Sequence, residues 1–359
     1  MAGARSDLMA GPYRERVARV IEELQAESRT IFGGEQPVDI ICDLIRELRY
    51  SVVARLRVQW NDREEFLYAK MPLEITEESR ERTGREYAAH RYVYEALEEG
   101  GHCEVVRPVH CFSDIPALIT EEVAGHILSI SVRSTSGWLA SDRSRAASRG
   151  IIENCGRWLR KFQAISPIPD AIDIAASKPY QPVETGGFVC EQGRRCRAEG
   201  LLQQGTVDRL LKYVASRTKE AAEYPIRITG MHSDLIMGNI FVSGGKVMVL
   251  DFGGFKSGPS CRDVATFLYS LSRLTVSPLV NRKTVDDYKE AFLDGYGWDP
   301  SVENVSLFRV FQAREILGGL LEYRRKGEST MMGGLRRLSV VATSERLLRE
   351  LFESGGKDS

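Results

Sequence analysis

The sequence predicts an α+β protein of two lobes, a β-rich N-terminal lobe and a helical C-terminal lobe. Three observations carry this. Strand-like apolar alternation dominates the first part of the chain. Apolar spacings of three and four residues dominate the second. A small β island interrupts the helical part. A length of 359 residues also suits two lobes better than one minimal domain.

The elements follow in order. Val17, Val20, Ile21 and Leu24 lie at i, i+3, i+4 and i+7, which predicts an amphipathic first helix. Residues 51–58 alternate apolar and polar, and residues 66–71 form a short apolar strand. A charged helix is expected over 75–99, with Tyr87, His90, Tyr94 and Leu97 on one face. Apolar runs at 105–112 and 117–123 complete the β-rich part, which joins the helical part near Gly125. There Ile151, Ile152, Cys155, Trp158, Leu159 and Phe162 mark a long buried helix, and Leu347, Leu348, Leu351 and Phe352 mark the last. The β island comprises 226–229, 239–242 and 246–250, with a turn at Ser243, Gly244, Gly245 and Lys246.

Composition narrows the function. Apolar residues make up 43% and charged residues 28%, which excludes wholesale disorder. The net charge of −1 argues against nucleic-acid partners. It hides an asymmetry: residues 1–125 carry 16 Lys/Arg and 24 Asp/Glu, and residues 126–359 carry 33 and 26. No apolar stretch is long enough for a transmembrane segment, and the first residues lack an apolar signal core. Seven scattered cysteines without a Cys-x-x-Cys pair suggest reduced thiols and a cytoplasmic setting.

The β island carries the chemistry. Asp234 and Asn239 lie on one short loop, and Asp251 ends the strand of a hairpin that begins at Asn239. A hairpin returns the chain, so Asp251 is expected near Asn239. Carboxylate and amide oxygens gathered this way suit Mg²⁺. A second carboxylate beside the metal can orient a hydroxyl and take its proton.

The ordered set His232, Ser233, Asp234 through Gly238 and Asn239, then Asp251, Phe252 and Gly253, resembles the protein-kinase-like superfamily. Within it, the small residue after His232, the Gly238-Asn239 pair and the missing Ala-Pro-Glu resemble the aminoglycoside phosphotransferase and choline-kinase branch. Lys70 at the end of Phe66-Leu67-Tyr68-Ala69-Lys70 resembles the strand lysine that grips nucleotide phosphates. Glu86 sits where that family places the lysine's partner. The resemblance implies a bilobal kinase-like fold. It implies a helical extension over 1–36, a nucleotide-binding lobe over 37–124 and a catalytic, acceptor-binding lobe over 125–359. It implies ATP or GTP with Mg²⁺, Asp234 as catalytic base, and Asn239 and Asp251 as metal ligands. The adenine would rest on the backbone of the 121–125 hinge, chiefly Glu122 and Val123. The turn over the phosphates, residues 46–51, has no glycine, so Arg49 or Ser51 is expected to take its place.

The expected activity is transfer of a γ-phosphoryl group to a hydroxyl of a neutral or anionic small molecule. The surplus of positive charge after residue 125 favours such an acceptor. The alternatives are an aminoglycoside-type resistance enzyme, which needs an acidic pocket, a protein kinase, and a nucleotide-binding pseudokinase. Structural roles are expected for His232 in the turn, for Asp263 as loop anchor or helix cap, and for Trp158 and Phe162 in the core. Arg194, Arg195 and Arg197, expected in a loop, read as a solvated face or as an anion site.

Overall fold

A computed structural model describes residues 13–99, 104–165, 168–169, 172, 180–325 and 331–354. Residues 1–12 of the expected N-terminal extension, and Cys103, lie outside them. The chain divides into two compact units. The first comprises Met1–Gly125 and Met248–Phe255, and the second His126–Val247 and Lys256–Ser359.

The first unit opens with α1 (Arg14–Ala26) and the short α2 (Ser28–Ile31). Its sheet comprises β1 (Asp39–Glu47), β2 (Ser51–Gln59), β3 (Glu64–Pro72), β4 (Pro108–Phe112) and β5 (Ala117–Glu121). The strand order is β1-β2-β3-β5-β4, with antiparallel pairing throughout. Val52, Ala54, Leu56 and Val58 of β2 and Leu67, Ala69 and Met71 of β3 point to one core with Val17, Val20 and Leu24 of α1. Alternation therefore sends Tyr68 and Lys70 to the opposite face of β3. Between β3 and β4 runs α3 (Glu77–Glu99). Its buried face is Thr83, Glu86, His90, Val93 and Leu97, rotated from the expected one, while Tyr87 and Tyr94 are only half-buried.

The second unit is helical, as the apolar spacing predicts. It contains β6 (His126–Ile127), α4 (Leu128–Thr135), α5 (Asp142–Phe162), α6 (Pro182–Ala198) and α7 (Gln204–Ala221). Next come β7 (Ile228–Met231), β8 (Ile240–Ser243) and β9 (Lys246–Val249), whose last residues belong to the first unit. Then follow β10 (Lys256–Pro259), α8 (Cys261–Ser272), α9 (Arg282–Tyr296), α10 (Val305–Arg325) and α11 (Met331–Ser354). β7 pairs with β10, and β6 with β8. Gly244 and Gly245 turn β8 into β9, both at positive φ. No described helix is long and apolar enough to cross a membrane.

α5 is the long buried helix of the sequence reading. Ser141 caps it by accepting from the Ser144 N–H, and Ile152, Cys155, Trp158, Leu159 and Phe162 are buried. It packs on α9 with backbones nearly touching. A Cβ on Gly156 would stand 2.2 Å from the Phe292 carbonyl oxygen, and one on Gly295 2.0 Å from that of Glu153. Neither backbone can yield, so Gly156→Ala should destabilise by roughly 3 kcal/mol, as strong overpacking does. Gly150→Ala lies on the same helix, where an added Cβ meets nothing within 4 Å, and should be neutral or slightly stabilising. Urea denaturation of both variants measures the contrast.

Candidate active site

In the first unit, one ammonium holds two carboxylates. The Lys70 Nζ donates to Glu86 Oε1 at 2.7 Å and to Asp251 Oδ1 at 2.9 Å. Lys70 arrives on β3, locked in register opposite Val53 and Leu118. Glu86 comes from the middle of α3 and is only 8% exposed. Asp251 follows a backbone splice: Val249 N–H donates to Glu104 O at 3.1 Å, and Val106 N–H to Val249 O at 3.2 Å. His90 braces the next residue. Its Nε2 hydrogen-bonds with Val106 O at 2.7 Å, and its ring lies 5.0 Å from that of Phe252. Gly253 passes so close that an added Cβ would be 3.2 Å from Glu86 Oε2.

The charges shape one another. Burial pulls the Lys70 ammonium down, but the charges and hydrogen bonds of Glu86 and Asp251 carry it above its ordinary value. Burial raises the Glu86 carboxyl, with Lys70 opposing and Asp251 adding to the rise. Two carboxylates against one ammonium leave a negative surplus on hard oxygens. That donor chemistry fits a divalent cation at Asp251.

In the second unit, the loop after β7 is hung from a buried carboxylate. Asp263, in the first turn of α8 and 0% exposed, accepts from His232 N–H at 2.7 Å and from Ser233 N–H at 2.9 Å. Burial raises its pKa, while His232 and these hydrogen bonds oppose the rise. The sequence reading of Asp263 as a loop anchor matches this geometry. His232 is buried beside Trp158 and Phe162, with ring centroids 6.4 and 6.5 Å away. Buried Leu235, Met237 and Ile240 pin the rest of the loop. Asp234 is left exposed. The Asn239 Nδ2 donates to Asp234 O at 2.9 Å and to Asp234 Oδ2 at 3.0 Å. With its nitrogen committed, Asn239 presents Oδ1 as the atom suited to a cation.

Ser233 (φ 68°) and Asp251 (φ 73°) are the two non-glycine residues at positive φ among the described residues. Such backbone is unfavourable for L-residues and persists where the surroundings enforce it. Here Asp263 holds the first, and the Val249 splice with Lys70 holds the second.

The remaining expected residues are placed as follows. Glu122 N–H is committed to Phe66 O at 2.9 Å. Its carboxylate receives Arg55 in a two-point pair, Nε at 2.7 Å and Nη2 at 2.8 Å. That guanidinium holds the Glu122 carboxyl below the usual range. The Val123 N–H has no backbone partner among the described residues. Ser51 is buried, and its carbonyl accepts from Leu48 N–H at 2.7 Å, closing the β1–β2 turn. Arg49 is the cation of that turn, 4.8 Å from the Tyr50 ring centroid. The arginine cluster lies in α6, not in a loop. Arg194 pairs with Glu191 and Arg195 with Glu199 on the exposed face of the helix. Sequence reading missed Arg55 and the bracing by His90; neither belongs to a motif.

A family model for the phosphotransferase enzyme family, APH, matches residues 53–302. Comparison with curated proteins finds no match. Among solved structures, the GDP complex of aminoglycoside 2'-phosphotransferase-IIIa is similar at TM-score 0.54 and 13% identity, covering 93% of this chain and 99% of that one. ADP-bound aminoglycoside phosphotransferase APH(2'')-Ib is similar at TM-score 0.52 and 11% identity, covering 93% and 98%. The ethanolamine kinase of Plasmodium vivax is similar at TM-score 0.51 and 13% identity, covering 85% and 82%. At these identities the likeness is one of fold.

The loop anchor has a measurable consequence. Asp263→Ala strips the acceptor from two backbone N–H groups, and each orphaned group costs about 1–3 kcal/mol. We expect a loss of roughly 3 kcal/mol by urea denaturation, and a smaller one for Asp263→Asn, which keeps one acceptor. A stability within about 0.5 kcal/mol of wild type for Asp263→Ala would contradict the anchoring role.

Proposed function

The chain belongs to the phosphotransferase enzyme family, and from that premise we propose that it transfers the γ-phosphoryl group of ATP or GTP to a hydroxyl of a small molecule. The observation that carries the reading is Lys70 held between Glu86 and Asp251. An ammonium fixed by two carboxylates is positioned to grip phosphate oxygens without first being ordered. Asp251 and Asn239 Oδ1 would hold Mg²⁺, which supplies charge neutralisation on the phosphates when bound. The Val123 N–H suits a nucleobase acceptor better than the Glu122 N–H, already committed to Phe66. Arg49, rather than buried Ser51, is the turn residue suited to the phosphates.

The chemistry assigned to Asp234 is alignment of the acceptor hydroxyl. The acceptor oxygen forms a bond to the γ-phosphorus, the bond from that phosphorus to the β-bridging oxygen breaks, and the nucleoside diphosphate leaves. The hydroxyl proton passes to the Asp234 carboxylate. The bond from Asn239 Nδ2 to Oδ2 orients that carboxylate. The complete set of Lys70, Glu86, Asp234, Asn239 and Asp251 favours an active enzyme over a pseudokinase. The structural relatives have GDP in one case and ADP in another, so both nucleotides belong in the test. The setting proposed is the cytoplasm, where buried, unbridged Cys155, Cys196 and Cys261 stay reduced.

The test is transfer from γ-labelled ATP and GTP to a panel of small alcohols, alongside nucleotide binding by calorimetry. Asp234→Asn should lower turnover about a hundredfold or more and leave the Mg-nucleotide dissociation constant near wild type. Asp251→Asn should lower both turnover and Mg-nucleotide affinity. Retention of a tenth of wild-type turnover by Asp234→Asn would contradict the base assignment. A wild-type protein that binds neither Mg-ATP nor Mg-GTP would contradict the whole reading.

A further inference from the structure

Single exposed apolar side chains are ordinary on a protein surface, whereas adjoining ones call for an explanation. In the second unit, two loops hold three of them together. The first loop joins α4 to α5, and the second leads into α9. Gly137 bridges to Val280, Trp138 N–H donates to Leu279 O at 3.3 Å, and Asn281 N–H donates to Ser136 O at 2.8 Å. The Trp138 indole N–H donates to Pro278 O at 3.4 Å. Joined in this way, the loops present Trp138 62% exposed, Leu139 101% and Leu279 75%. A leucine with all of its surface open projects beyond its neighbours, so the tip is convex.

Polar backbone in the tip is paired within it. Arg145 Nη2 donates to Gly137 O at 3.1 Å and to Trp138 O at 3.2 Å. Leu279 N–H donates to Ser277 Oγ at 3.3 Å, and Leu279 O accepts from Trp138. Backbone groups already paired cost little to bring out of water. Tryptophan, with an apolar ring and one polar N–H, favours the boundary between water and lipid. The charge around the tip is mainly positive. Residues 133–145 and 277–283 carry Arg133, Arg143, Arg145, Arg282 and Lys283 against one acid, Asp142. Arg145 answers that acid at 3.3 Å. The other four cations are exposed. The next acids, Asp286 and Asp287, lie further along α9, and Asp286 pairs with Lys289.

We propose that this tip docks the chain reversibly on an anionic lipid surface. Trp138, Leu139 and Leu279 enter the headgroup boundary, and Arg133, Arg143, Arg282 and Lys283 meet the lipid phosphates and carboxylates. Charge decides between this occupant and a second copy of the chain. A two-fold contact through the tip would set the same cations against one another, whereas an anionic surface neutralises them. Three apolar side chains and four cations give weak, salt-sensitive binding rather than permanent insertion. The proposal does not depend on the phosphotransferase reading.

The test is co-sedimentation of the full chain with two sets of vesicles. One is phosphatidylcholine alone, and the other is phosphatidylcholine and phosphatidylserine at about three parts to one. Binding is expected to the second set, weakening as salt is added. Leu139→Ser with Leu279→Ser should weaken it about tenfold or more. These side chains are exposed, so the double variant should keep the wild-type fold. Arg282→Gln with Lys283→Gln should weaken binding severalfold and flatten its salt dependence. Tryptophan emission should shift to the blue on binding in the wild type and much less in Trp138→Phe. No binding to the phosphatidylserine vesicles, equal binding to both sets, or binding unchanged by the leucine variants would overturn the proposal. Self-association of the wild type in the ultracentrifuge, lost in the leucine variants, would also overturn it and assign the tip to a second copy.

Discussion

The first unit is organised around one ammonium and two carboxylates. Lys70 can meet Glu86 and Asp251 together only if three chain segments are fixed: β3 by its register, α3 by the rotation that buries Glu86, and the stretch after β9 by the Val249 splice. Glu86 explains why α3 turns a carboxylate inward instead of Tyr87 or Tyr94. A carboxylate with so little exposure is tolerated because a cation lies 2.7 Å away. Gly253 belongs to the same constraint, since a side chain there would crowd Glu86.

The second unit uses a different device for a similar end. Its buried carboxylate, Asp263, meets backbone N–H groups instead of a side-chain cation. It holds Ser233 in left-handed backbone and leaves Asp234 facing outward. The long helix α5 brings Trp158 and Phe162 to His232, and α5 reaches that place through the glycine contacts with α9. Packing of α5 on α9 thus bears on where the Asp234 carboxylate, the proposed base, stands. Ser233 precedes Asp234 and Asp251 is bonded to Lys70, so both strained residues stand at groups proposed for phosphoryl transfer.

Much of this was legible in the sequence, because ordered motifs survive when overall identity does not. Lys70, Glu86, Asp234, Asn239 and Asp251 lie in the kinase order, and the structure joins Lys70 to Glu86 and Asp251, and Asp234 to Asn239. The rest was hidden for physical reasons. β1 has a bulge between Cys42 and Leu44 and only partial burial, so its alternation is broken. α6 carries Gly186, Gly187 and Gly193, residues unfavourable in a helix interior. In the helix, Gly186 admits Thr218 and Gly193 admits Leu210, as close packing onto α7 requires. The arginine cluster therefore became a helix face on which Arg194 and Arg195 pair with Glu191 and Glu199.

The claim on which the account turns is that Lys70 and Glu86 act as one unit to hold nucleotide phosphates. A double-mutant cycle on the Mg-ATP dissociation constant tests it, with Lys70→Met, Glu86→Gln and the pair measured by calorimetry. If they do, Lys70→Met weakens binding strongly, Glu86→Gln partly, and the double variant little more than Lys70→Met alone. Losses that simply add, or a Lys70→Met protein that binds Mg-ATP as tightly as wild type, would contradict it.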